Sequence, residues 1–319
     1  MDAFLIMLRN VILFAALAIP GYILVKCNIL KQEHSAPLSK ILMYVGLPFM
    51  IVSGMVNNLS IDREFLVRML TVAAIGVIYT LVLLLVAKPL SAFEKSEKTR
   101  GMIRFCTVFS NNGFLGIPLA IAVFGKDTQI FTALIVLNII NNIMIYSFGS
   151  NLVSGVGRSG GLKNAVFNPV LIGFVIGLIL NLLNVKSYIP EVVSYSDYFS
   201  GIVTPISMTI LGMKLAGVKV SSLFASVKNY YVSFLKLIVS PLVIVALLFA
   251  LKAIPGDIIN TDVILGFFVA FAMPTAGLAT TFADTYDGDT ESAVAFTLGT
   301  TMLSILTIPL LYGLLNFFI

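Results

Sequence analysis

Charged residues, cysteine, histidine and tryptophan are scarce in this sequence. Only 11% of its 319 residues are charged, and it contains two cysteines, one histidine and no tryptophan. One histidine excludes an H-E-x-x-H zinc site, and the absence of a Walker phosphate-binding loop excludes an ATP-driven pump. The two cysteines, Cys27 and Cys106, are too few and too far apart for a disulfide framework or a metal site. We therefore expect free thiols and no metal or cofactor.

Apolar residues, in contrast, make up 59% of the chain. Soluble domains carry roughly 25% charged residues, and about 20 apolar residues suffice to cross a bilayer. The sequence therefore predicts an all-α integral membrane protein with ten transmembrane spans and the lipid bilayer as its surroundings. We number these spans from first to tenth: 4–26, 38–56, 66–87, 102–124, 128–152, 163–185, 198–218, 228–251, 263–283 and 290–317.

The distribution of lysine and arginine predicts the orientation of these spans. One side of the predicted bundle carries 13 basic residues and the other carries 6, with Lys236 inside the eighth span. By the positive-inside rule the richer side, which includes Lys95 and Arg158, is cytoplasmic. We expect a multi-pass protein of a bacterial inner membrane whose termini, Met1 and Ile319, are both extracytoplasmic. The basic residues are spread over short loops, so no nucleic-acid partner is expected.

The ten spans divide into two groups of five around a glycine- and serine-rich segment. That segment, 153–162, separates residues 1–152 from 163–319 and is predicted to be a cytoplasmic linker. Because five is odd, two homologous halves would insert in opposite orientations, as in an inverted repeat. Three landmark pairs recur at an offset of 156 to 158 residues: Asn10 with Asn168, Pro48 with Pro205, and Pro118 with Pro274.

Polar and helix-breaking residues interrupt the fourth and ninth spans. The fourth contains Asn111, Asn112, Gly113, Gly116 and Pro118, and the ninth contains the corresponding group Pro274, Thr275 and Gly277. Proline removes a backbone donor, and irregular backbone inside a membrane is tolerated only where protein or a water-filled cavity satisfies it. Ordinary kinks are the alternative for a single proline. The matched pair predicts two discontinuous helices that meet at a transport site, with Gly116, Pro118, Pro274 and Gly277 as the helix-breaking residues.

These motifs resemble those of the auxin efflux carriers, whose bacterial members include proteins described as malonate transporters. The similarity lies in NNGFLGIP at Asn111–Pro118, in Pro274 and in SILTIP at Ser304–Pro309. Within the wider bile acid/sodium symporter-like superfamily, the resemblance implies a five-plus-five inverted repeat with crossing fourth and ninth helices. It further implies a scaffold of spans 1, 2, 6 and 7, often dimeric, a mobile transport domain of spans 3–5 and 8–10, and organic anions as substrates.

The fifth span carries three asparagines, Asn138, Asn141 and Asn142, at spacings that place them on one helix face. An amide inside a membrane costs several kcal/mol unless it is paired. The asparagines therefore either join helices to one another or contact the substrate. Plant relatives tend to have glutamine and aromatic residues here, which argues against auxin itself. The predicted substrate-binding residues are Asn111, Asn112, Gly113, Asn138, Asn142 and Thr275.

Two roles are possible for each of three charged residues that lie near or within the spans. Asp289 is expected to cap the tenth span, and Asp284 lies in the same DTYDGDTE segment; gating or cation binding is the alternative for both. Lys236 is expected to extend its side chain to the membrane interface, with a role as counter-ion for a carboxylate as the alternative.

These features favour a secondary transporter of small organic anions that works by alternating access. A channel is the alternative, because broken helices also build pores. An intramembrane enzyme is disfavoured because the spans lack paired carboxylates or a nucleophile with a base. Uniport, proton coupling and sodium coupling all stay open, because no acidic residue lies at the midplane of the predicted spans to relay protons.

Overall fold

The computed structural model describes residues 3–58, 63–125, 128–154, 169–252 and 259–319. Met1, Asn168, Arg158 and most of the predicted linker lie outside these ranges. The described part is helical, and its one β-bridge joins Ser110 to Thr275. The α-helices are Ala3–Ala16, Ile19–Lys26, Ser35–Ile41, Leu47–Asn58, Arg63–Leu90, Glu97–Val108, Ile117–Phe124, Gln129–Met144, Ser150–Ser154, Pro169–Leu182, Val185–Tyr188, Glu191–Ser200, Val203–Ala216, Val220–Ala225, Val227–Phe234, Ser240–Lys252, Thr261–Ala272, Leu278–Thr285 and Thr290–Leu315.

Seven helical stretches in the described residues are long and apolar enough to cross a membrane. They are Phe4–Lys26, Gln32–Val56, Arg63–Leu90, Gln129–Ser154, Glu191–Ala216, Val227–Lys252 and Thr290–Leu315. Shorter apolar stretches, Asn112–Phe124, Pro169–Leu182 and Thr261–Ala272, lie in the fourth, sixth and ninth predicted spans. The all-α membrane fold is therefore confirmed, whereas the count of ten spans stays a prediction.

The outward faces of the long helices match a lipid environment. In Arg63–Leu90, the side chains of Leu70, Ile78 and Leu85 are 70%, 61% and 63% exposed. A soluble protein would leave this much apolar surface in water at a large cost in free energy. The lipid-facing helices are thus stabilised by hydrocarbon on one side and by the protein core on the other.

Two glycines allow the first and seventh spans to touch backbone to backbone. Gly21 lies in Ile19–Lys26 and Gly212 in Val203–Ala216, two helices that pack against each other. A Cβ added at Gly212 would lie 1.8 Å from the carbonyl oxygen of Ala18, and one at Gly21 would lie 1.9 Å from that of Thr209. Small residues of this kind let membrane helices approach closely enough for dispersion forces to hold them.

Gly212→Ala is therefore expected to lower the stability of the purified protein by about 1 to 3 kcal/mol, the usual cost of overpacking. The contacted atom belongs to the backbone, so the whole helix must shift. The matched control is Gly201→Ala on the same span, where the new Cβ would meet nothing nearer than 3.4 Å. Thermal unfolding in detergent measures both variants, and equal midpoints would contradict the close approach.

The fourth and ninth spans are the two that lose regular helical structure. Phe109, Ser110 and Asn111 separate Glu97–Val108 from a π-helical turn at Asn112–Gly116, which leads into Ile117–Phe124. In the ninth span, residues 273–277 separate Thr261–Ala272 from Leu278–Thr285. The predicted discontinuity of both spans is thus present in the structure.

The position of the first interruption differs from the prediction. Pro118 and Gly116 both lie inside one helical stretch, Asn112–Phe124, where the π-helical turn that contains Gly116 continues into Ile117–Phe124. Neither residue is at the break, which begins before Asn112. Pro274, however, is inside its break and Gly277 directly precedes the following helix. Pro118 and Pro274 therefore occupy different positions relative to the two interruptions.

Candidate functional site

The two interruptions are hydrogen-bonded to each other. The backbone N–H of Asn111 donates to the carbonyl of Pro274 at 2.8 Å, and that of Ala276 donates to the carbonyl of Phe109 at 3.0 Å. Backbone groups that no longer have helical partners thus pair across the gap, as a low-dielectric interior demands. The result is a short antiparallel bridge centred on Ser110 and Thr275.

Side chains of the fifth and tenth spans, together with that of Thr275 itself, fix this bridge in place. Asn141 of the fifth span accepts from the Ser110 backbone N–H at 3.2 Å and donates to the Ser110 carbonyl at 2.9 Å. The Thr275 hydroxyl donates to the carbonyl of Cys106, while its backbone N–H donates to the Thr300 hydroxyl. Asn141 and Thr275 are therefore occupied with holding backbone, and Thr275 does not line the cavity described next.

A small cavity of about 40 Å³ lies beside the bridge. Each interrupted span consists of two half-helices, one before and one after its interruption. The second half-helix of each span begins at this cavity, which Asn112–Phe114 of the fourth span and Ala276–Leu278 of the ninth line. The first-turn amides of a helix have no partner within that helix, and they carry partial positive charge. The cavity also has walls from the second, fifth and sixth spans, with Met43, Leu47, Asn138, Asn142 and Val170 among them.

Two buried amide atoms at this cavity have no hydrogen-bond partner among the described residues. They are Oδ1 of Asn112 and Nδ2 of Asn138, in side chains that are 3% and 2% exposed. Asn142 donates to the Asn138 backbone carbonyl at 2.8 Å and to Asn138 Oδ1 at 3.2 Å. Unpaired buried polar atoms are costly, and their clustering beside a cavity makes it the candidate place for a ligand or water that supplies the missing partners.

Lys236 does not reach the membrane interface, so the expected extension of its side chain was wrong. The residue is 0% exposed, and its ammonium group donates to the Val108 carbonyl at 3.3 Å and to the Ser110 hydroxyl at 2.5 Å. The interrupted fourth span frees carbonyl oxygens inside the bundle, which gives a buried ammonium partners that an unbroken helix would not offer. Lys236 thus lies behind the bridge, separated from the cavity by Ser110.

The acidic segment before the tenth span is held by protein groups. As predicted, Asp289 caps Thr290–Leu315 by accepting from the Ser292 backbone N–H at 2.9 Å. Partial burial would raise the pKa of Asp289, but hydrogen bonds from Thr99 and Ser292 outweigh it and hold that pKa below its usual range. Asp284 accepts from the Thr290 hydroxyl. Among the described residues, no group of three or more His, Cys, Asp or Glu side chains could hold a metal ion.

A second polar cluster connects the third, fourth and eighth spans at the same end of the bundle. Glu94 accepts a hydrogen bond from Lys228, which holds the pKa of the Glu94 carboxyl below its usual range. The Glu94 carbonyl accepts from Arg100 Nε and Nη2 at 2.9 and 2.6 Å. These contacts join segments that the family resemblance places in the transport domain of spans 3–5 and 8–10.

The structure brings most of the predicted substrate-binding residues together. Asn111, Asn112, Gly113, Asn138, Asn142 and the helix-breaking Gly277 all line the cavity. Gly116, Pro118, Pro274 and Thr275 do not, and Asp284, Asp289 and Lys236 lie elsewhere. Sequence reasoning missed Ser110, which pairs with Thr275, Asn141 and Lys236 at once. Its position next to Asn111 in an apolar helix was the available signal.

A family model described as membrane transport protein matches residues 5–312, nearly the whole chain. The chain belongs to this family. It is the auxin efflux carrier family that the NNGFLGIP motif resembles, so that prediction is confirmed. Two relatives extend the match to archaea. An uncharacterized transporter of Methanothermobacter thermautotrophicus is 28% identical over 95% of this chain and 96% of its own length. An uncharacterized transporter of Methanocaldococcus jannaschii is 26% identical over 94% and 96%.

Membership of this transporter family agrees with the structure of the site. A transporter must let polar solute meet protein inside the membrane, and here irregular backbone and amide side chains surround a cavity within an apolar bundle. The family and the fold together make this chain a multi-pass membrane transporter.

Proposed function

We propose that this transporter is a secondary active carrier of small organic anions, such as carboxylates. The observation that carries the proposal is the cavity at which two half-helix N-termini and two unpartnered amide atoms converge. Helix N-termini attract anions through their free N–H groups and their partial positive charge. In transporters of this general construction, such termini point at the anionic group of the substrate.

The amides give the site selectivity without a charge in contact with the ligand. Asn138 lies beside the first turn of the fourth span's second half-helix, where a Cβ on Gly113 would be 3.6 Å from its Oδ1. A carboxylate accepts from Asn138 Nδ2 and from the helix amides, while Asn112 Oδ1 accepts from a donor of the ligand. Neutral partners orient an anion yet release it, which suits a carrier.

The cavity size supports alternating access. A volume of about 40 Å³ admits only a few water molecules. A carboxylate therefore requires the walls to separate, and the walls come from different groups of spans. In our proposal the fourth and ninth spans cross here and move with spans 3, 5, 8 and 10 in an elevator-like motion. The scaffold of spans 1, 2, 6 and 7 stays fixed, in a homodimer.

Helix packing supports this division and the inverted repeat. Leu47–Asn58 of the second span packs against Pro169–Leu182 of the sixth, and Ile19–Lys26 of the first packs against Val203–Ala216 of the seventh. In a five-plus-five repeat the first span corresponds to the sixth, and the second corresponds to the seventh. The contact between the second and sixth spans therefore has its counterpart in the contact between the seventh and first, as a pseudo-two-fold axis requires. In our proposal these four spans form one symmetric scaffold.

Uptake into proteoliposomes tests the function. A panel of mono- and dicarboxylates is offered, with sodium and proton gradients imposed separately. A carrier gives saturable uptake of one class of anion that unlabelled substrate inhibits. Conductance without saturation would favour a channel, and no anion uptake at all would contradict the proposal.

The sidedness of the transporter gives a separate prediction. Lys95 lies between the third and fourth spans, on the side richer in basic residues, and Ile319 follows the tenth span. In a variant with the exposed Cys27 replaced by serine, cysteines at positions 95 and 319 should react with an impermeant reagent from opposite sides of the membrane. Reaction of both from one side would contradict the ten-span topology.

A further inference from the structure

Lys236 occupies an unusual place for a lysine in a membrane protein. It is fully buried, and its ammonium group contacts two oxygen atoms of the interrupted fourth span, the Val108 carbonyl and the Ser110 hydroxyl. None of the carboxylates in the described residues forms an ion pair with it. The ammonium is therefore balanced by neutral dipoles rather than by an opposite charge.

The dipoles that face Lys236 belong to the end of a helix. Val108 is the last residue of Glu97–Val108, so its carbonyl lies at the negative end of the helix macrodipole. A cation is stabilised at this position, and the same two oxygens would suit a hard metal cation. Unwound carbonyls and half-helix C-termini are the groups that coordinate sodium in ion-coupled transporters with broken helices.

Two neighbouring carbonyls at this helix end are already satisfied. The Cys106 carbonyl accepts from the Thr275 hydroxyl and the Phe109 carbonyl accepts from the Ala276 backbone N–H. Val108 thus offers its carbonyl to Lys236, and the Ser110 hydroxyl is the second acceptor. A sodium ion at the same oxygens would overlap with the ammonium and meet its charge repulsion.

We propose that the Lys236 ammonium is the resident cation of the paired interruptions, in the place where a sodium-coupled carrier binds Na⁺. The inference rests on the proposed function, and it deepens it by assigning sodium independence to this carrier. The Lys236 ammonium holds the C-terminal end of the first half-helix of the fourth span. The N-terminal end of the second half-helix of that span stays free to bind the anion.

Sodium ions alone provide the first test, on the purified full chain without any solute. We expect the midpoint of thermal unfolding to be the same in sodium chloride as in choline chloride at equal ionic strength. A saturable rise of the midpoint in sodium would overturn the inference. Because no solute is present, this test is independent of the uptake panel. A failure to find anion uptake would not change the sodium result, and a sodium effect would not contradict anion transport.

Replacement of the lysine provides the second test. Lys236→Ala empties the position, so the midpoint should fall by on the order of 5 °C. Sodium or ammonium chloride should then restore part of that loss, whereas choline chloride should not. Lys236→Met fills the space without a charge and should lose stability with no recovery in any of these salts.

The matched control is Lys252→Ala, which removes an exposed lysine from the end of the same helical stretch, Val227–Lys252, and should leave the midpoint unchanged in every salt. A loss in Lys236→Ala that neither small cation reverses would overturn the inference, because the oxygens would then not form a cation site. If Lys236→Ala does not fold, the sodium response of the native protein decides the question alone.

Discussion

Asn111→Ala is expected to weaken binding of the transported anion by about 1 to 3 kcal/mol, or roughly 5- to 150-fold in affinity. Asn111 lines the cavity, and its backbone N–H and carbonyl are engaged with Pro274 and with Leu115 and Gly116. Alanine keeps those backbone bonds and removes only the amide that would donate to a carboxylate. Affinity is measured by competition in proteoliposome uptake, with the best anion of the panel.

Asn10→Ala is the matched control for this change. Asn10 lies in the first span, donates within its own helix to the Ile6 carbonyl, and is absent from the cavity. Its replacement should leave affinity unchanged, and both variants should unfold near the native midpoint. Native affinity in a well-folded Asn111→Ala protein would show that the anion binds elsewhere.

The sequence was sufficient to predict the elements but not the partners of the polar residues. Apolar stretches long enough to cross a bilayer are a local property, so the helices could be predicted from composition. The broken spans were also predictable, because proline and glycine act locally. The exact break was not, because Pro118 is accommodated inside the helical stretch Asn112–Phe124, and the pairing of Ser110 with Thr275 places the break before that stretch.

Lys236 shows the same limit more sharply. From the sequence, a lysine two turns from a span end is indistinguishable from one that reaches the interface. What keeps it inside is a carbonyl of Val108 and a hydroxyl of Ser110, residues more than 120 positions away in the chain. Long-range contacts of this kind depend on how the spans pack, which hydropathy does not specify.

The three asparagines of the fifth span illustrate why a shared helix face does not imply a shared role. Asn138 and Asn142 hydrogen-bond with each other beside the cavity, whereas Asn141 binds both backbone groups of Ser110. The two roles considered for these asparagines, joining helices and contacting the substrate, therefore fall to different residues. In our proposal, Asn138 and Asn142 serve the substrate and Asn141 serves the fold.

Asn141→Leu is accordingly expected to lower stability by about 3 kcal/mol. Leucine keeps the number and the branching of the side-chain heavy atoms but leaves the Ser110 backbone N–H and carbonyl without the bonds at 3.2 and 2.9 Å that Asn141 now makes. Each unsatisfied buried group costs roughly 1 to 3 kcal/mol, and water is scarce inside the bundle. The midpoint of thermal unfolding in detergent measures the loss.

Asn142→Leu is the comparison that separates the two roles, because it makes the same substitution one residue further along. Within the described part of the chain, the Asn142 amide donates only to Asn138 of its own helix, so its replacement removes no hydrogen bond between the described spans. Asn142→Leu leaves one acceptor, Asn138 Oδ1, without its donor, whereas Asn141→Leu leaves two backbone groups unsatisfied. We therefore expect Asn142→Leu to lose less stability than Asn141→Leu and to bind the anion weakly. Equal losses of stability would show that Asn141 does not hold the break, and native affinity in Asn142→Leu would remove that amide from the anion site.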